Sequence, residues 1–130
     1  MKVAFLDLDD VLAIHADQVA RYGGTGGIRH VGLLQSALGV PRATFGGRLL
    51  HPSIPEMAAA YLFHLVQDHP FIDGNKRVGL AAVLAFLGLN DLWLESDDEE
   101  LTELVLRVAR GDAQKADLAI FLREHCEPST

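Results

Sequence analysis

Two apolar stretches with one short polar stretch between them constrain this chain more than anything else in it. Residues 53–68 read SIPEMAAAYLFHLVQD and residues 78–90 read VGLAAVLAFLGLN. Each is apolar nearly all round at helical spacing, so each predicts a helix buried on most of its surface. Ser53 is a natural N-cap, with Pro55 and Glu56 in the first turn, which predicts a helix from about Ile54 to Gln67. A second helix is predicted over Asn75 to Leu89, where the small residues Gly79, Ala81, Ala82 and Ala85 permit close approach of a neighbour. Between them lies HPFIDGNKR, His69 to Arg77, with a His, an Asp, an Asn, a Lys and an Arg inside nine residues.

The remainder supplies shorter elements. VAFL has the makings of a short strand. DLDDVLAIHADQVARY places Leu8, Val11, Leu12, Val19 and Tyr22 on one helical face, with Asp7 as N-cap and Asp9 and Asp10 as first-turn acids. The run GGTGG ends that helix in a flexible loop. GLLQSALGVP predicts a short helix and RATFGGRLLHPS a loop. LWLES predicts a second short strand, to pair with VAFL. DDEELTELVLRVARG and DAQKADLAIFLREH are amphipathic helices, the first acidic at its start and carrying Arg107 and Arg110 near its end. No repeat or linker divides residues 1–130, so one domain is expected.

Composition narrows the partners. A net charge of −7 disfavours a nucleic-acid-binding face. The single cysteine, Cys126, excludes an internal disulfide and suits a reducing compartment. MKVAFLDLDD follows its apolar run at once with acids, unlike a signal peptide, and VGLAAVLAFLGL is too short for a membrane span. A cytoplasmic protein without membrane or direct nucleic-acid contacts is expected.

The chemistry of HPFIDGNKR follows from its place at a helix start. Backbone N–H groups there lack intrahelical partners and carry the positive end of the dipole. Gly74 permits close approach of a ligand. Lys76 and Arg77 oppose the dipole, so they make sense with an anion between them rather than as stabilising charges. Asp73 is a hard oxygen ligand suited to Mg2+, which takes its other ligands from water and phosphates. His69 can accept a proton near neutral pH. Base, carboxylate, N–H groups and cations together describe phosphoryl or nucleotidyl transfer. The competing reading makes Asp-Gly-Asn a capped turn and Lys-Arg a solvated pair, with Phe71 and Ile72 anchoring the loop to the core.

HPFIDGNKR resembles the signature of the Fic/Doc family, H-P-F-x-[DE]-G-N-G-R-x-x-R. The form with Lys in place of the second Gly is similar to the Doc (death-on-curing) toxin branch. IHADQVARYGGTGGIRHVGLLQSAL is similar to the N-terminal half of that branch. With the elements above, the resemblance implies an all-α, Fic-like bundle of about six helices, with room for one small β-hairpin. It implies His69 as base or proton relay towards an attacking hydroxyl, Asp73 as Mg2+ ligand and Gly74 and Asn75 as anion-hole positions. Arg77 would pair with nucleotide phosphates, and Phe71 is the buried motif aromatic. Lys76 replaces a Gly, and Leu80 stands where the second Arg would be. Both departures disfavour AMP transfer with ATP in the usual Fic orientation, and the resemblance to the Doc branch implies a reversed ATP whose γ-phosphate moves.

The implied activity is an Mg2+- and ATP-dependent protein kinase that modifies a hydroxyl of elongation factor Tu and blocks translation, as the toxin of a type II toxin–antitoxin pair. Its partner would be a Phd-type antitoxin whose C-terminal segment folds into a groove. The chain lacks the [ST]-x-x-x-E-[GN] inhibitory helix of Fic proteins, which favours control by that separate partner. Two alternatives stand beside it: an AMP transferase acting on a protein hydroxyl, and an inactive Fic-fold binding module.

Other signals in the sequence point elsewhere. FLDLDDVLA resembles the first motif of HAD phosphatases, with Asp7 as nucleophile and Asp9 as acid/base, but that fold needs a parallel sheet. His15 and Gln18 line the groove near the motif or form a polar face. His64, five residues before His69, has the wrong spacing for a metal pair on one helix face. His30, His51 and His125 read as incidental, and Cys126 as a bystander near a frayed end.

Overall fold

The structure, a computed structural model, describes residues 2–129. Six α-helices occur among them: α1 Leu8–Tyr22, α2 Val31–Gly39, α3 Ile54–Gln67, α4 Asn75–Leu89, α5 Asp98–Ala109 and α6 Lys115–His125. Two antiparallel strand pairs accompany them. One joins β1 Thr44–Phe45 to β2 Arg48–Leu49, the other β3 Leu92–Leu94 to β4 Cys126–Pro128. The all-α expectation holds, and no helix of the described residues is long and apolar enough to cross a membrane.

Helix α3 is the axis of the bundle. Every residue from Met57 to Leu62 is buried, as are Leu65 and Val66, because α4 covers one side and α6 another. Ser53 caps it as the sequence predicts, its Oγ accepting from the Glu56 N–H. The close approach of α4 depends on Gly79. A Cβ there would lie 2.9 Å from Leu62 Cδ1 and 3.1 Å from Val66 Cγ2.

Helix α1 begins in a capping box: Asp7 Oδ1 accepts from the Asp10 N–H at 2.9 Å and Asp10 Oδ2 from the Asp7 N–H at 2.9 Å. With Asp7, the nucleophile of the phosphatase reading, engaged as a helix cap and only two antiparallel strand pairs in the described residues, that reading of FLDLDD falls away.

Three expectations are corrected. VAFL is not a strand. Its backbone groups are satisfied by side chains: Asn90 takes the Ala4 N–H and donates to the Ala4 carbonyl, and the Tyr61 hydroxyl takes the Leu6 N–H at 2.9 Å. LWL therefore pairs with Cys126–Pro128, so Cys126 lies half-buried in a strand rather than at a frayed end. Its thiol is raised above its ordinary pKa, chiefly by that burial. RATFGGRLLHPS is not a plain loop. Gly46 and Gly47 both take positive φ, 60° and 80°, and close the β1–β2 hairpin as a two-residue turn requires.

Candidate active site

The motif connects the C-terminus of α3 to the N-terminus of α4. Phe71 is buried, with 1% of its surface exposed, and stacks on the His15 ring of α1. Ile72, expected to share the anchoring, is 55% exposed; Phe71 alone fills the core position. Asn75 closes the loop locally. Its Oδ1 accepts from the Phe71 N–H at 3.0 Å and its Nδ2 donates to the Phe71 carbonyl at 3.0 Å.

Gly74 caps α4 in the left-handed conformation, φ 79° and ψ 17°, which a residue with a side chain adopts only at a cost. The first helical bond runs from the Val78 N–H to the Gly74 carbonyl. The main-chain N–H groups of Asn75, Lys76 and Arg77 precede it and have no intrahelical acceptor. The Gly74 N–H is turned to Asp73 Oδ1 at 2.8 Å. Of the two positions expected to form an anion hole, Gly74 thus donates to its neighbour. Asn75 offers its main chain alone, because its side chain faces Phe71.

Asp73 is held from two sides. Beside the Gly74 bond, its Oδ2 accepts from the Thr25 N–H at 3.2 Å in the loop after α1. Gly24 makes this approach possible, since a Cβ there would lie 2.7 Å from Asp73 Oδ2. Its own carbonyl accepts from His15 Nε2 at 3.0 Å, which fixes the proton on that nitrogen. The two readings of His15 therefore resolve towards the motif: it is buried and bonded to it.

His69, Asp73, Gly74, Asn75, Lys76 and Arg77 line one cleft of about 410 Å3 together with Tyr22, Gly23, Gly24 and Ile72. The six candidate residues are thus brought to a single wall. His69, Lys76 and Arg77 are exposed to the solvent there. Tyr22, expected on the apolar face of α1, is 61% exposed, and the Arg77 guanidinium lies 5.1 Å from its ring centroid.

Two contributors escaped the sequence reading. Thr25 supplies a main-chain donor that no residue type announces. Arg29 donates to the carbonyls of His69 and Asp68, yet in GGIRHVG it looks like any solvated arginine. The histidines read as incidental have local work. His30 caps α2 through Nδ1, His125 stacks on Phe121, and His51 lies 3.4 Å from the Lys115 ammonium.

Asp73 is the side chain of this cleft that could hold a hard cation such as Mg2+. Each Asp73 oxygen accepts one N–H and keeps lone-pair capacity. Among the described residues no group of three or more His, Cys, Asp or Glu could hold a metal. One carboxylate with phosphate and water making up the rest is a common way for Mg2+ to bind.

Comparison with known proteins places these observations. A sequence model of the Fic/DOC family matches residues 5–87. The chain is 36% identical over 123 residues to Toxin Doc of Mycolicibacterium smegmatis, spanning 90% of this chain and 92% of that one. It is 30% identical over 118 residues to Protein kinase doc of Escherichia phage P1, spanning 88% and 90%.

Proposed function

The chain belongs to the Fic/DOC family, and from that premise we propose that it is a Doc-type toxin that transfers the γ-phosphoryl group of ATP to a protein hydroxyl. The observation that carries the reading is the cleft, where His69, Asp73, Lys76 and Arg77 meet the open N-terminus of α4. The names of the two relatives support its two halves: one is called a toxin and the other a protein kinase.

Each side chain then has a role that follows from its position. His69, exposed at the cleft, takes the proton of the attacking hydroxyl on its imidazole. The N–H groups of Asn75, Lys76 and Arg77 point the positive helix end at the transferring phosphate. Lys76 and Arg77 add full charges where negative charge spreads in a phosphoryl-transfer transition state. Asp73 would hold Mg2+, which when bound neutralises phosphate charge. The loop 23–25 fixes that carboxylate before any ligand arrives, so little reorganisation remains at the moment of reaction.

Lys76 and Leu80 favour phosphoryl over AMP transfer in this reading. Lys76 occupies the position of a Gly in AMP-transferring relatives, and Leu80 removes a phosphate-binding Arg. The proposed acceptor is a hydroxyl of elongation factor Tu, and the proposed regulator is a Phd-type antitoxin of a type II toxin–antitoxin pair.

The test is label transfer to elongation factor Tu in the presence of Mg2+, using ATP labelled at either the γ or the α position. Transfer of γ-label alone, abolished in His69→Ala, is the expected result. Transfer of α-label would make the protein an AMP transferase instead. Transfer of neither label would mean that elongation factor Tu is not the acceptor or that the site is silent, and calorimetric ATP binding then separates a wrong acceptor from an inactive binding module.

A further inference from the structure

Arg29 sits in the loop after α1, 40 residues before the histidine that it reaches. Its Nε donates to the His69 carbonyl at 2.6 Å and its Nη2 to the Asp68 carbonyl at 2.8 Å. These two carbonyls belong to the two peptide planes that flank the His69 Cα. Rotation between those planes is what φ and ψ of His69 measure. A rigid guanidinium fork that grips both planes therefore sets the direction in which the His69 side chain leaves the backbone.

That direction needs holding. His69 has φ 48°, in the left-handed region that is costly for any residue bearing a Cβ. Arg29 also brings its loop with it. The Arg29 and His30 N–H groups both donate to the Pro70 carbonyl, at 2.8 and 3.0 Å. The Ile72 N–H donates to the Gly27 carbonyl, and Ile28 bridges to Phe71. The segment 27–30 thus lies along 69–72, and the Arg29 fork ends the strip at the strained residue.

We propose that Arg29 is a positioning residue for His69, holding it in its left-handed conformation so that the imidazole faces the cleft. The proposal rests on the reading of His69 as the proton acceptor. Lysine cannot replace Arg29 in this role, because an ammonium is a point donor without the fixed fork that spans two carbonyls.

Full-length Arg29→Lys and Arg29→Ala proteins test it with three readouts: γ-label transfer, calorimetric ATP affinity, and the HN–Hα coupling of His69. A misplaced base predicts a kcat lower by roughly 10- to 100-fold in both variants, with the dissociation constant for ATP unchanged. The coupling should move away from its left-handed value in both. An unchanged coupling, or an unchanged kcat, in the lysine variant overturns the proposal. So does weaker ATP binding at unchanged kcat, which would assign Arg29 to nucleotide binding. A wild-type protein that transfers no label overturns the functional reading, and the positioning role with it. Normal wild-type transfer with fully active variants overturns the role of Arg29 alone.

Discussion

The imidazole of His15 lies flat against the ring of Phe71, 3.9 Å between centroids and 9° from parallel, while its Nε2 donates to the Asp73 carbonyl. One side chain of α1 thus holds both the buried aromatic of the motif and the backbone of its carboxylate. His15→Phe keeps the stack and removes the hydrogen bond. It should lower stability by about 1 kcal/mol and reduce γ-label transfer more than it reduces the melting temperature would suggest. Parallel thermal melts and transfer assays read the two effects.

Gly24 is where the α1 loop touches Asp73. With φ 107° and a Cβ that would stand 2.7 Å from Asp73 Oδ2, Gly24→Ala must displace the carboxylate or the loop. Transfer activity should fall by about 10-fold or more, on the scale expected when a reacting geometry is lost. Calorimetric titration with Mg2+ and ATP should show weaker binding as well. Full activity in this variant would show that the Thr25–Asp73 contact is dispensable.

Gly79 reports on the helix pair rather than the site. Gly79→Ala places a methyl against the side chains of Leu62 and Val66, which are fully buried and have little room to yield. The overpacking should cost about 1–3 kcal/mol, against the gain of about 1 kcal/mol that Ala brings to an open helix. Urea unfolding should give a lower midpoint than wild type, and an equal or higher midpoint would show that α3 and α4 have slack.

His64 carries the acid side of the stability curve. Its Nε2 is buried without a hydrogen-bond partner among the described residues, and its pKa is lowered from 6.5, first by burial and then by the Lys115 charge, with Asp68 opposing and His51 adding to the lowering. A His that resists protonation when folded binds more protons when unfolded. Stability should therefore fall as pH drops below about 6.5 and continue to fall until the folded-state value is passed. His51, lowered by burial and Lys115, acts in the same direction. Urea midpoints at neutral and mildly acidic pH should differ less in His64→Phe than in wild type, and an equal difference would remove His64 from the account.

Some elements were legible because their causes are local. The capping box of Asp7 and Asp10, the Ser53 cap and the apolar periods of α3 and α4 all depend on residues within a few positions of one another. The grouping of His69, Asp73, Lys76 and Arg77 was legible for the same reason, since one loop and one helix turn carry all four. The Gly46-Gly47 hairpin is local as well, but adjacent glycines suit a loop and a positive-φ turn alike, so the sequence predicts only a loop there.

What the sequence by itself determined is the helical class, the limits of the long helices and the place of the site at the start of α4. Only the tertiary structure decided which distant groups complete it. The Ala4 backbone finds Asn90 across 86 residues, β3 finds the last described strand rather than the first segment, and His69 finds Arg29. Hydrogen-bond partners so far apart are chosen by how the helices pack, and no periodicity or capping rule reaches beyond the next turn of the chain.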